Sequence, residues 1–167
     1  MISVKTSQGL DWIFTECFDS CGSGDWTRHG NTCYKIVREP ISSWKVAQGL
    51  CLDLGGYLAT PSELAEVYWL KGFRSHHKSL RGGWLWMGGY KKNGQWLWKE
   101  RFTDSAIDHN DWGKDQPYPD PANNCLLMFG DGSEGWKLDP VEQWFRWAAG
   151  NCNAKLGFIC QKEIETK

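Results

Sequence analysis

At 167 residues the chain has room for one domain with a real hydrophobic core and too little for two. A net charge of -1 gives no overall electrostatic reason to bind nucleic acid or an anionic membrane. Twelve tryptophans and nineteen glycines against six prolines exclude a disordered chain and describe a rigid, loop-rich, well-packed one.

No apolar run reaches the roughly 18 residues of a membrane span, and "MISVKTSQGLDWIF" lacks the apolar stretch of a signal peptide. The segment therefore reads as a soluble domain, with any export signal or anchor expected outside it. Seven cysteines, Cys17, Cys21, Cys33, Cys51, Cys125, Cys152 and Cys160, include no C-x-x-C pair, which argues for disulfides over a zinc ribbon. Bridges persist in oxidising compartments, so the expected location is extracellular, secreted or an ectodomain. An odd count leaves one cysteine over, and no N-x-S/T sequon is present.

In chain order, "CYKIVRE" (Cys33 to Glu39) alternates as a strand that Pro40 is expected to end. "SSWKVAQGLCLDLGG" sets Trp44, Ala47, Leu50 or Cys51, and Leu54 on one helical face, with Ser42 or Ser43 as N-cap and Gly55 closing the helix. Thr60, Pro61 and Glu63 read as a capping box with proline in the first turn, predicting a second helix from about Pro61 to Gly72. Its Leu64, Val67, Tyr68 and the region of Leu70 and Lys71 are expected to face a core. "KGFRSHHKSLR" then reads as a basic, solvated loop that could meet an anion. Its adjacent His76 and His77 lack the companions of a zinc site. "GWLWMGG" and "GQWLWKE" read as aromatic strands turning at Asn93 and Gly94. From Lys99 to Asn124 no periodicity survives, and a loop this long inside a compact domain is usually functional. "CLLMFG" (Cys125 to Gly130) resumes a strand, and "LGFICQK" (Leu156 to Lys162) is the closing one.

This order of features resembles a C-type lectin-like domain of the long form, from about Cys21 to Lys162. "WTRHGNTCY" is similar to the family's opening hairpin, and "SWKVAQGLCLDLGGYLATPSELAEV" to its two helices. "WMGG" at Trp86 to Gly89 resembles its W-I-G-L strand, "GQWLWKE" its G-x-W-x-W hairpin and "GFICQK" its last strand. The resemblance implies an α+β fold, two helices flanking small antiparallel sheets with a long irregular loop region. It implies the bridges Cys21 with Cys33, Cys51 with Cys160 and Cys125 with Cys152. Cys17 remains, either unpaired or bridging a homodimer. Residues 1–20 are then an N-terminal extension, 21–162 the domain and 163–167 a tail.

Sugar-binding members of that family hold calcium in the long loop through a Glu-Pro-Asn or Gln-Pro-Asp triplet and a Trp-Asn-Asp motif. The triplet falls here on Gln116, Pro117 and Tyr118, which keeps the first ligand type and puts a poor one, a phenol, third. The residue before Pro117 is where the family often has a cis bond. The second motif falls on Trp147, Ala148 and Ala149, so both ligand oxygens are missing. No cofactor is firmly implied. Calcium enters only by a rescue in which Gln116, Asp120 and Asp139 serve, through register changes in "QPYPD" and "WKLD". The scattered Asp104, Asp108, Asp111 and Asp115 read more simply as a solvated, turn-forming loop than as a separate ion site.

"SEGWKLDPVEQWFRW" crowds Trp136, Trp144, Phe145 and Trp147 beside this face. Trp147 and Phe145 are expected in the core, with Trp144 open between core and surface and an exposed ring serving as an apolar platform. No G-x-S-x-G, H-E-x-x-H or phosphate loop occurs, so no enzyme is expected. The reading is a non-catalytic domain that binds a glycan or glycoconjugate through Gln116, Tyr118, Asp120, Asn123, Asn124, Trp136 and Trp144. The alternative is a calcium-independent, protein-binding receptor or adhesion module. Mineral or ice binding has no feature in its favour.

Overall fold

The computed structural model describes residues 2–6, 9–13, 21–132 and 143–164. Strands β1 (Ile2–Thr6) and β2 (Gly9–Ile13) pair antiparallel as a sheet of their own. Cys17, Trp136 and Asp139 lie outside the described residues.

The remaining strands share one sheet. They are β3 (Thr27–His29), β4 (Thr32–Ser42), β5 (Tyr57–Leu58), β6 (Leu85–Lys92), β7 (Gln95–Lys99), β8 (Asp104–Ala106), β9 (Cys125–Met128), β10 (Trp147–Gly150) and β11 (Leu156–Glu163). The main path runs β10-β9-β6-β11-β4-β3, with β7 and β8 continuing from the far end of β6 and β5 against β11. The pairings are antiparallel except between β6 and β11. The expected hairpin between β6 and β7 turns at Asn93 and Gly94, both at positive φ, which matches the twist of the strands.

Side chains alternate between two faces along these strands. Trp86, Leu127, Ala148, Phe158 and Cys160 fall in one core, with Ala47 and Cys51 of helix α1 (Trp44–Asp53) packed on it. Leu85, Met87, Leu126, Met128, Trp147 and Ile159 fall in the other, covered by Val67 and Leu70 of helix α2 (Leu64–His76). Six of the cysteines form the bridges Cys21–Cys33, Cys51–Cys160 and Cys125–Cys152.

Several expectations need correction. The first strand does not end at Pro40: β4 runs on to Ser42 through the cis Glu39–Pro40 peptide, because the β4–β11 register shifts between Leu156 and Phe158 and leaves residues 38–41 out of the ladder. Helix α1 takes Ser43 as N-cap as expected, but Leu54 lies past its end and is exposed. Helix α2 starts three residues late, capped by Glu63 with Glu66 in a reciprocal box, while Thr60 and Pro61 are buried before it. Its Leu64 and Tyr68 face solvent, and Val67, Leu70 and Arg74 carry the buried stripe.

Gly72 does not stop this helix, and the segment read as a basic loop is helix up to His76 followed by a 3₁₀ turn at Lys78–Leu80. Glycine inside a helix costs about 1 kcal/mol, and local contacts offset it. Phe73 stacks on Trp69, while the guanidinium of Arg74, fully buried, donates to the carbonyls of Leu80, Gly82, Gly83 and Phe129. Arg74 is a structural tie between α2 and the end of β9, not a surface charge. The Nδ1 atoms of His76 and His77 each bond a helix carbonyl four residues back.

Candidate functional site

Two walls meet at the open end of the sheet. One is the loop from Asp111 to Asn124, part of the stretch from Lys99 to Asn124 that the sequence reads as irregular throughout; the structure corrects this by placing the short strand β8 within it. The other is the segment Gln143 to Asn151 containing β10, paired with β9 so that Ala148 opposes Leu127 and Ala149 opposes Leu126.

Protein groups stitch the walls together. Trp147 N donates to Asp111 O (2.9 Å), and Gly113 N donates back to Trp147 O (2.8 Å), a parallel bridge. Lys114 N donates to Gln143 Oε1 (2.6 Å) and Ala149 N to Gln116 Oε1 (3.0 Å). Gln116 Oε1 also accepts from Tyr118 N at 3.1 Å, so that amide oxygen takes one bond from its own loop and one from the opposite wall. The Gln116–Pro117 peptide is cis, as the resemblance implied.

Behind this seam, Asp111 is 5% exposed and was misread as part of a solvated loop. Lys71 of α2 reaches both its carboxylate oxygens at 3.1 Å, and Arg146 Nη1 stands 3.4 Å from Oδ1. Burial pushes the Asp111 carboxyl up from its ordinary range, against the pull of Lys71 and Arg146. Asp104 is engaged elsewhere, bonded by Tyr90 and Lys99, which hold its carboxyl below the usual range.

Between the walls lies a hollow of about 370 Å³. Leu127, Phe129, Ala148 and Ala149 give it an apolar floor, and Gly150 stands so close to Leu127 and the Trp86 ring that a Cβ there would meet Leu127 Cδ2 at 2.7 Å. Gln116, Asn123 and Asn151 supply amides, and Trp84 and Tyr118 supply rings, Tyr118 being 59% exposed. Trp84 is half-buried, edge-on to Phe129. No charged side chain occurs among the described lining residues.

The structure brings Gln116, Tyr118 and Asn123 together with Ala148 and Ala149. Asp120 is folded into its own turn, Oδ1 accepting from Ala122 N, and Asn124 donates to Pro121 O. Trp144 lines a separate hollow with Lys71 and Ser75, under the Arg81 guanidinium. Phe145 and Trp147 are core, Trp147 set edge-on between Trp98 and Trp112.

A calcium ion requires six to eight oxygens. Ala148 and Ala149 supply no side-chain oxygen, the Gln116 oxygen is spent, and no group of three or more His, Cys, Asp or Glu suited to a metal occurs among the described residues. The residues at the family's ion positions do not fit the ion.

Sequence reasoning missed Trp84, Asn151, Gln143 and the Lys71–Asp111–Arg146 cluster. For Trp84 a signal existed: period-2 alternation puts it on the face of Trp86, one step beyond the covered strand. For Asp111 none did, because its partners are 40 and 35 residues away.

Comparisons with known proteins agree with this architecture. The model of the lectin C-type domain family matches residues 41–162. C-type mannose receptor 2 of Mus musculus is 23% identical over 133 residues, covering 80% of this chain and 8% of the receptor, so the chain spans a small fraction of that relative. Ladderlectin of Oncorhynchus mykiss is 27% identical over 159 residues, covering 92% of this chain and 74% of Ladderlectin. Among solved structures, SPL-1 in complex with GlcNAc superposes with a TM-score of 0.70 at 22% identity, over 89% of this chain and 99% of that one. With the family matched across most of the chain, and the two helices, three bridges and long loop in place, this protein belongs to the C-type lectin domain family, whose domains are recognition modules rather than enzymes.

Proposed function

We propose that this domain acts outside the cell and binds a neutral sugar unit of a glycan or glycoconjugate in the hollow beside Ala148 and Ala149, without the calcium bridge of the family's sugar-binding members. The lining of that hollow carries the reading: an apolar floor for a sugar's C–H face, amide groups of Asn123 and Asn151 for its hydroxyls, and the Tyr118 and Trp84 rings at its rim. Lack of ion ligands at Ala148 and Ala149 supports independence from calcium, and three intramolecular bridges support an oxidising compartment. The recognition unit is then residues 21–162, with 1–20 and 163–167 as an extension and a tail.

Retention on a panel of immobilised sugars, with calcium and then with chelator, tests this. Equal retention in both conditions, reduced in Tyr118→Ala and Asn123→Ala, is the expected result. Retention that vanishes with chelator overturns the calcium-independent mechanism. Loss of all sugar retention, with binding instead to a protein surface, moves the domain to the receptor or adhesion reading.

A further inference from the structure

We infer that the hollow beside Ala148 and Ala149 selects an N-acetylated amino sugar through its acetamido group; this rests on the sugar-binding reading above. The basis is how the amides on the lining are bonded. Gln116 Oε1 accepts two backbone N–H groups, from Ala149 at 3.0 Å and Tyr118 at 3.1 Å, and Asn151 Oδ1 accepts the N–H of Asn153 at 2.9 Å. A backbone N–H can bond only the oxygen end of an amide, so these contacts also fix which end of each side chain is the NH2. The oxygens are turned back on the protein, and what Gln116 and Asn151 offer a guest is donors.

A site rich in donors favours a guest group that only accepts. A sugar hydroxyl both gives and takes a hydrogen bond, whereas an acetamido carbonyl only takes and has two lone pairs to fill. The rest of the group also finds its match. Its methyl suits the floor of Leu127, Phe129, Ala148 and Ala149, and Asn123 on the same lining has an amide oxygen for its N–H. A volume of about 370 Å³ lies at the low end for small-molecule sites and suits one sugar unit. A carboxylate would accept from the same donors, but the described lining has no charged side chain to offset its desolvation. An ammonium would set donors against donors.

The test measures affinities, in chelator, of the wild type, Gln116→Glu and Asn151→Asp. The probes are glucose and galactose, their 2-acetamido, 2-formamido and 2-amino counterparts, and glucuronic acid. Each substitution replaces the NH2 by an oxygen and leaves an oxygen to hold the backbone N–H groups, so the seam and the turn keep their bonds. The wild type is expected to bind both acetamido sugars about tenfold more tightly than the parent hexoses. Removing the methyl, in the formamido forms, should give back about fourfold of that, and the amines should bind no better than the hexoses. In both variants the ratio of acetamido sugar to hexose should fall to about one or below, because a carboxylate oxygen accepts from a hydroxyl and repels a carbonyl. A merely structural role for these amides would lower both affinities together and leave the ratio standing. Equal affinity for hexose and acetamido sugar in the wild type, tighter binding of glucuronic acid, or a ratio that survives both substitutions overturns the acetamido site and leaves sugar binding standing. No binding of any of these sugars overturns both.

Discussion

Two alanine methyls decide the chemistry of the candidate site. Ala148 is 2% exposed and points into the core shared with Trp86 and Leu127, so it forms floor rather than ligand. Restoring the family's residues with Ala148→Asn and Ala149→Asp is expected to destabilise the domain by about 2–4 kcal/mol, from overpacking and an ill-satisfied buried amide. Denaturant unfolding with and without calcium checks this. The midpoint should fall equally in both, because Gln116 Oε1 is held by Ala149 N and Tyr118 N and is not available to an ion. That Ala148 and Ala149 lack oxygens was legible in the sequence. That the neighbouring amide had been turned to bond the backbone was not, since a side chain's partner across 33 residues leaves no local mark.

At the scale of elements, the long loop is fixed to α2 and β10 by side chains and backbone. Asp111 stands at the junction, taking Lys71 from α2, Arg146 from the approach to β10 and, through its carbonyl, the N–H of Trp147. Burial raises its proton affinity in the folded state, so its titration contributes stability fully present below the ordinary carboxylate value near pH 4 and lost as pH rises through the raised folded value. At neutral pH the charged carboxylate is therefore under strain, relieved in part by its two cations. Asp111→Asn, a neutral isostere, is expected to change stability at about pH 7 by less than about 1 kcal/mol, and Asp111→Ala to cost about 2 kcal/mol by leaving the seam unfilled. Because Lys71 and Arg146 keep access to water, neither loss reaches the cost of stranding a fully buried ion. Urea midpoints at about pH 7 and about pH 4 check both expectations, and the difference between wild type and Asp111→Asn should shrink toward the acid end. Helix α2 follows the same logic: Gly72 is a stop signal in sequence, and the carbonyls around Arg74 override it.

At the scale of the whole molecule, the Cys51–Cys160 bridge ties α1 to β11 across 109 residues. Replacing both cysteines by alanine is expected to cost about 5 kcal/mol in the chain-entropy account. Calorimetry of the variant should show a large fall in Tm, and a fall of only a degree or two would reject that account here. The sequence alone determined the family, the two helices, the aromatic hairpin and the lack of ion ligands at Ala148 and Ala149, because each depends on residue type at short, regular spacing. Tertiary structure alone decided where α2 ends, which loop carboxylate is buried, and that Trp84 rather than Trp144 stands over the hollow. Those outcomes depend on groups brought together from distant parts of the chain, where the energy of a contact is set by what faces it and not by its neighbours in sequence.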